Sequence, residues 1–234
     1  MNENQKEVLQ INNLSKKFGN KLVLNNINLN LFSHEIVGFI GDNGAGKTTT
    51  MNIICNILKE DNGTILVNNM VKDDDISYKK ELFYMRDTLD IFRGIRGIEW
   101  INFIKNLYQV ENQKKLNELL LNFNMEQDIT DKIDNYSYGM KKKLMLIISF
   151  LISPKLLILD EPINGLDPKS ILKFEHYIKE YRDSGGAALI STHLLDYAEK
   201  FCSRVYMIKE GNIVYNGNIH EGTLENIYRG YQNE

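Results

Sequence analysis

Hydrophobic positions near the start of the chain recur at intervals of two. Ile27, Leu29 and Leu31 alternate with polar neighbours, Ser33-His34 reads as a turn, and Glu35 to Ile40 follows as a near-continuous apolar run. Alternation marks a half-buried strand, and a short apolar run marks a strand covered on both faces. From Lys47 the period changes, and Met51, Ile54, Cys55 and Leu58 fall on one helical face. Gly63 closes that stretch, and Thr64 to Val67 predicts a further strand. Strand, glycine-rich loop, helix and strand form the opening unit of an α/β fold with parallel strands.

The middle of the chain has a different rhythm. Gly97 to Tyr108 and Gln113 to Phe123 are helical in pattern, with Leu116, Leu119, Leu120 and Phe123 on one side. Met140, Leu144, Ile147, Ile148 and Leu151 mark a third helix, and no strand pattern interrupts the segment, which predicts an all-helical insertion near 88–150. The α/β alternation then resumes. Leu156 to Leu159 is a buried strand, Ile171, Phe174, Ile178 and Tyr181 mark a helix, and Ala187 to Ser191 is a strand. Leu194 to Cys202 is a short helix, and Val205 to Ile208 with Ile213 to Tyr215 a hairpin.

Composition narrows the classes. Lys plus Arg is 28 and Asp plus Glu 31, a net charge of −3, which argues against a protein that coats nucleic acid. Cys55 and Cys202, far apart, suit a reducing compartment and make no disulfide framework. The most apolar stretch, Leu144 to Leu159, is broken by Ser149, Ser153, Pro154 and Lys155 and falls short of the ~20 residues a bilayer demands. Met1 to Gln10 has no apolar secretory segment, so a cytoplasmic location is expected. Lys141-Lys142-Lys143 reads as a solvated helix face, Cys55 as core, and His34, His176 and His220 show no metal-binding pattern.

Gly41-Asp42-Asn43-Gly44-Ala45-Gly46-Lys47-Thr48 matches the phosphate-loop pattern in full, with Thr49 following. Glycines let backbone N–H groups approach phosphate oxygens, and a helix starting near Lys47 aims its positive end at them. Lys47 supplies a charge to the outer phosphates and Thr48 a hydroxyl to Mg²⁺. Leu156-Leu157-Ile158-Leu159-Asp160-Glu161 is a buried strand ending in two carboxylates. Asp160 at the strand tip suits Mg²⁺, and Glu161, pointing differently, suits a base that accepts a proton from an attacking water. These motifs alone leave a GTPase, a kinase and a helicase open.

Tyr136-Ser137-Tyr138-Gly139-Met140 narrows the choice, because here the chain resembles the ABC ATPase family, whose signature has the form L-S-G-G-Q. Gly165-Leu166-Asp167-Pro168 is similar to that family's D-loop, Ser191-Thr192-His193 to its switch-histidine segment, and Lys17-Phe18-Gly19 to the aromatic loop that stacks on adenine. The resemblance runs from about Val8 to Gly217. It implies an α/β P-loop NTPase (RecA-like) core with an N-terminal antiparallel β region and an inserted all-helical subdomain. A single domain 1–234 would then hold a nucleotide-binding core of 1–87 and 151–234 around a helical subdomain, 88–150. It also implies two ATP molecules sandwiched between paired subunits, Ser137 and Gly139 capping the γ-phosphate held by the opposite subunit, Asp167 in the same interface, and His193 bonding that phosphate.

Two positions depart from the family pattern. Tyr138 stands where a glycine is usual, and Asp87 falls at the place of a glutamine that ligates Mg²⁺ and senses the transport subunit. A lone ATPase domain without a membrane span is similar to the detachable subunit of a transporter, and the Ser-x-Gly-Met-Lys signature to those of bacterial drug, lantibiotic and peptide exporters. Its partners would be a second copy or a similar ATPase and a separate transmembrane permease that holds it at the inner face of the cell membrane, with no nucleic acid. Leu89, Ile91, Phe92, Ile95, Ile98, Trp100 and Phe103 are expected to be mostly core, Trp100 especially, and by the resemblance the surface of this segment would receive a short coupling helix from the permease. A non-transport regulatory ATPase of the same family stays open as the alternative.

Overall fold

In the computed structural model, which describes residues 6–72, 75–88, 94–219, 222 and 224–232, the alternating start of the chain forms β1 (Glu7–Phe18) and β2 (Lys21–Phe32). The apolar run is β3 (Glu35–Ile40), and the glycine-rich loop leads from it into α1 (Lys47–Ile54). Next come β4 (Asn62–Val67), β5 (Met70–Val71), α2 (Ile76–Lys80) and β6 (Leu82–Met85). Helices α3 (Gly97–Tyr108), α4 (Gln113–Phe123) and α5 (Tyr138–Ile152) follow. The chain continues through β7 (Leu156–Asp160), α6 (Pro168–Asp183), β8 (Ala187–Ser191), α7 (Leu195–Phe201), β9 (Arg204–Lys209), β10 (Asn212–Asn218) and α8 (Leu224–Gln232).

Two sheets result. One is antiparallel, in the order β2-β1-β4-β5. The other is six-stranded, β10-β9-β3-β8-β7-β6, parallel except for the β9–β10 hairpin. Its central strands are buried on both faces and divide their side chains by the period of two. Leu156 and Ile158 of β7 join a core shared with the antiparallel sheet, while Leu157 and Leu159 join a core shared with α3, α4, α5 and α6. Each such leucine or isoleucine contributes about 1.5–3 kcal/mol by leaving water. Helix α5 is buried nearly all round, as its apolar residues on every face require.

The helix after the glycine loop is shorter than its sequence pattern predicts. Asn56 adopts a left-handed φ of +54°, and the N–H groups of Ile57 and Leu58 turn back to the Asn52 carbonyl. Asparagine tolerates that conformation, so α1 stops at Ile54 and Leu58 leaves the helical face. Cys55 is the C-cap, half-buried at the margin of the core shared with the antiparallel sheet rather than within it, and burial pushes its thiol pKa up. Strand β6, which the sequence pattern does not predict, pairs parallel with β7. No helix among the described residues is long and apolar enough to cross a membrane.

Candidate functional site

The loop between β3 and α1 carries the first wall of the site. Gly46 caps α1 at φ +117°, and a Cβ there would stand 2.6 Å from Leu24 Cδ2. Only glycine combines that backbone with that approach. Lys47 opens the helix and folds back over the loop, its Nζ donating to the carbonyls of Gly41 (2.6 Å) and Asp42 (3.1 Å). It is largely buried, and burial lowers its pKa, opposed by the charges of Glu161, Asp160 and Asp42. A cleft of about 180 Å³ opens beside it, lined by Asp42–Gly44 and Gly46–Thr49 on one side and Asp87, Asp160 and Glu161 on the other. Gly41 and Ala45 belong to the loop but do not line this cleft.

The second wall comes from β7. Parallel pairing sets Asp160 opposite Ser191 of β8, and Ser191 Oγ donates to Asp160 Oδ1. The other oxygen, Oδ2, accepts from Thr48 Oγ1 at 3.0 Å. Two of the three sequence-predicted metal residues, Thr48 and Asp160, therefore meet across the cleft. One residue on, Glu161 takes φ +48°, its N–H donating to Ser191 O (3.2 Å) and Oγ (3.1 Å). That turn swings its side chain away from Asp160's direction. Glu161 Oε1 lies 3.0 Å from His193 Nδ1, and since a carboxylate only accepts, the proton sits on Nδ1. Oε2 is buried and has no hydrogen-bond partner among the described residues. A buried acceptor left free costs about 1–3 kcal/mol, so this oxygen is held ready for a donor from outside the protein.

Behind the second wall, helix α5 overturns one expectation. Lys142 is fully buried, not solvated, and its Nζ donates to Glu161 O (2.8 Å), Asp160 O (3.4 Å) and Asp87 Oδ1 (3.2 Å). The reason is helical phase: α5 turns residue 142 inward while Lys141 stays at its edge. Lys143 is also engaged, at 2.8 Å from Asp167 Oδ2. Asp87 lines the cleft, yet its Oδ1 also accepts from the Tyr138 hydroxyl at 2.7 Å.

The remaining sequence-predicted residues lie outside the cleft. Ser137 is the N-cap of α5, its Oγ accepting from Met140 N at 3.2 Å, and Gly139 lies in the first turn. Asp167 is the N-cap of α6, accepting from Ser170 N at 3.0 Å. Phe18 ends β1 with an exposed ring, and Lys16 Nζ sits 5.6 Å from its centroid. Leu89, Ile91, Phe92 and His220 lie outside the described residues. Sequence reasoning missed Lys142, Ser191's grip on Asp160 and Glu161, and Tyr228 of α8, whose hydroxyl donates to Asp42 Oδ1 at 2.7 Å. Lys142 stands four residues after Tyr138, but Lys141 and Lys143 on either side mask its inward phase.

Chemically, one wall offers backbone N–H groups, a helix N-terminus and a lysine to an anion, and the other offers carboxylates. A polyphosphate on the first would face like charge on the second, which a divalent cation between them relieves. The converging hydroxyl and carboxylate of Thr48 and Asp160 are hard oxygen donors of the kind Mg²⁺ takes. Among the described residues no group of three or more His, Cys, Asp or Glu side chains is placed to hold a metal ion by itself.

A sequence profile described as ABC transporter matches residues 24–164. An ABC transporter ATP-binding protein of Bacillus subtilis (strain 168) is 35% identical over 208 residues, covering 88% of this chain and 68% of that protein. The lantibiotic transport ATP-binding protein SrtF of Streptococcus pyogenes is 29% identical over 226 residues, covering 97% of this chain and 93% of its own. Among solved structures, the ATP-binding subunit of an ABC transporter superimposes with a TM-score of 0.88 at 28% identity, over 96% of this chain and 93% of that one.

Proposed function

The chain belongs to the ABC transporter family, as an ATP-hydrolysing, ATP-binding subunit, and from that premise we propose that it powers an exporter of peptides or drugs through nucleotide-driven pairing of two such subunits. The observation that carries the reading is the cleft in which the phosphate loop faces Asp160 and Glu161. In it the loop N–H groups from Gly41 to Thr49 and the Lys47 ammonium hold the outer phosphates. Mg²⁺, when bound, neutralises phosphate charge, with Thr48 and Asp160 as its holders and Asp87 beside them. Glu161 takes the proton of the attacking water on Oε2, the oxygen that the protein leaves free, while His193 fixes Oε1. For His193 to donate to a phosphate through Nε2 as well, its ring must carry both protons.

Ser137 and Gly139 present a helix N-terminus that lines no part of the chain's own cleft, which supports their acting on nucleotide held by a second subunit. Asp167 lies in the loop that would meet that subunit, and Phe18 offers an exposed ring to adenine. In this reading 1–87 and 151–234 are the nucleotide core and 88–150 the helical subdomain that meets the permease. Its α3 exposes Phe103 and Leu107, with Trp100 stacked on Phe103 at 5.5 Å, an apolar surface suited to a helix from a membrane partner. The similarity to a lantibiotic transport protein supports peptide export, and the permease would keep the subunit peripheral on the inner face of the membrane.

Cross-linking from residues 87–100 in cell membranes tests this assignment. A multi-span membrane protein captured there, together with loss of export but retained basal hydrolysis in Ile95→Asp, is the expected result. Cross-links confined to soluble proteins would favour a regulatory ATPase.

A further inference from the structure

Lys142 is a buried cation to which the proposed hydrolysis assigns no role. An ammonium has three N–H donors, and here three acceptors surround it: the Glu161 and Asp160 carbonyls and Asp87 Oδ1. Its side chain is fully inaccessible, and its Nζ lies 5.5 Å from the Tyr138 ring centroid. Burying a lysine costs free energy unless every donor is satisfied, so this placement needs a reason. The backbone it grips supplies one. Glu161 is a β-to-loop residue at φ +48°, a conformation that is strained for a non-glycine residue and persists only where its surroundings enforce it. Ser191 holds the Glu161 N–H, Asn164 N reaches the Glu161 carbonyl at 3.3 Å, and Lys142 binds the same carbonyl at 2.8 Å.

We propose that Lys142 is a positioning residue for ATP hydrolysis: its buried ammonium locks the left-handed peptide of Glu161 and joins it to Asp87, so that the base and the Asp87 loop keep one fixed relation. The inference rests on Glu161 being the base. Lys142 does not line the cleft; it acts through the backbone of the residue that does.

The test compares Lys142→Met, which keeps the length and removes every donor, with Lys142→Gln, which keeps an N–H₂ donor. Steady-state ATPase assays give kcat and KM, and Glu161→Gln is measured alone and combined with Lys142→Met. A base displaced by about 1 Å loses on the order of 10²-fold in rate, so Lys142→Met is expected to lower kcat ~10–100-fold with KM for ATP within about threefold. Lys142→Gln should recover part of that loss, and Lys142→Met added to Glu161→Gln should cost nothing further. If Lys142→Met does not fold, a fall in kcat beyond threefold at unchanged KM in a folded Lys142→Gln supports the proposal. Wild-type kcat in folded Lys142→Met overturns it, as does wild-type kcat in Lys142→Gln where Lys142→Met does not fold, or an equal loss from Lys142→Met in both backgrounds. Wild-type turnover in Glu161→Gln would instead overturn the base assignment itself.

Discussion

The hydroxyl of Tyr138 donates to Oδ1 of Asp87 at 2.7 Å, so the two positions that depart from the family pattern are bonded to each other. Burial and the Asp87 bond both push the Tyr138 pKa up, which keeps the phenol protonated as a donor. On its other side the ring packs against the loop before α6, where a Cβ on Gly165 would stand 2.6 Å from the ring. An aromatic side chain placed where glycine is usual is thus accommodated by a glycine opposite and an acid beside it.

Tyr138→Phe removes the bond and keeps the ring. A single exposed-edge hydrogen bond is worth about 0.5–1.5 kcal/mol, so a small fall in melting temperature is expected, with hydrolysis still measurable. Asp87→Asn should shift the Mg²⁺ concentration at half-maximal activity. An Mg²⁺ titration identical to wild type in both variants would separate this pair from metal binding.

Glu161→Gln keeps size and loses the proton acceptor. Hydrolysis should fall at least ~10²-fold while ATP binding persists, and a nucleotide-dependent dimer should accumulate on gel filtration. Turnover near wild type would show that another group activates the water.

Lys47→Ala should fail at binding. Among the described residues the ammonium bonds only loop carbonyls, so the melting temperature without nucleotide should change little, while ATP-induced stabilisation disappears. Retained stabilisation by ATP would contradict the phosphate-loop assignment.

Asp167 caps α6 and pairs with Lys143, and these bonds hold its pKa well below the usual carboxylate range. A depressed folded-state pKa stabilises above the unfolded value and loses that contribution as pH falls through the folded one. Asp167→Ala should therefore cost about 0.5–2 kcal/mol at neutral pH and progressively less below about pH 4. Urea unfolding at several pH values measures the difference. A cost that grows on acidification would refute the cap-and-pair account.

Much of the site was legible because its residues are local in sequence. The glycine loop, the strand ending in Asp160-Glu161 and the helices Gly97–Tyr108 and Gln113–Phe123 follow from spacing alone. Contacts between distant segments were not. Lys142 is one of three consecutive lysines, and a run of charge hides the helical phase that turns its middle member inward. Strand β6 is four residues of parallel sheet, too short for a period to declare itself. The φ of Glu161 follows from the clamps at Ser191 and Lys142, thirty and nineteen residues away, which no local pattern carries.

The left-handed backbone at Glu161 also bears on how this protein responds to selection. Position 161 is where a glycine would relieve strain, by about 1 kcal/mol, and where the proposed base must stay. A directed-evolution screen scored on heat resistance alone would therefore reward the replacement that ends turnover. Robustness and chemistry compete at that one peptide, and thermostable variants that still work must draw their gains from elsewhere in the chain.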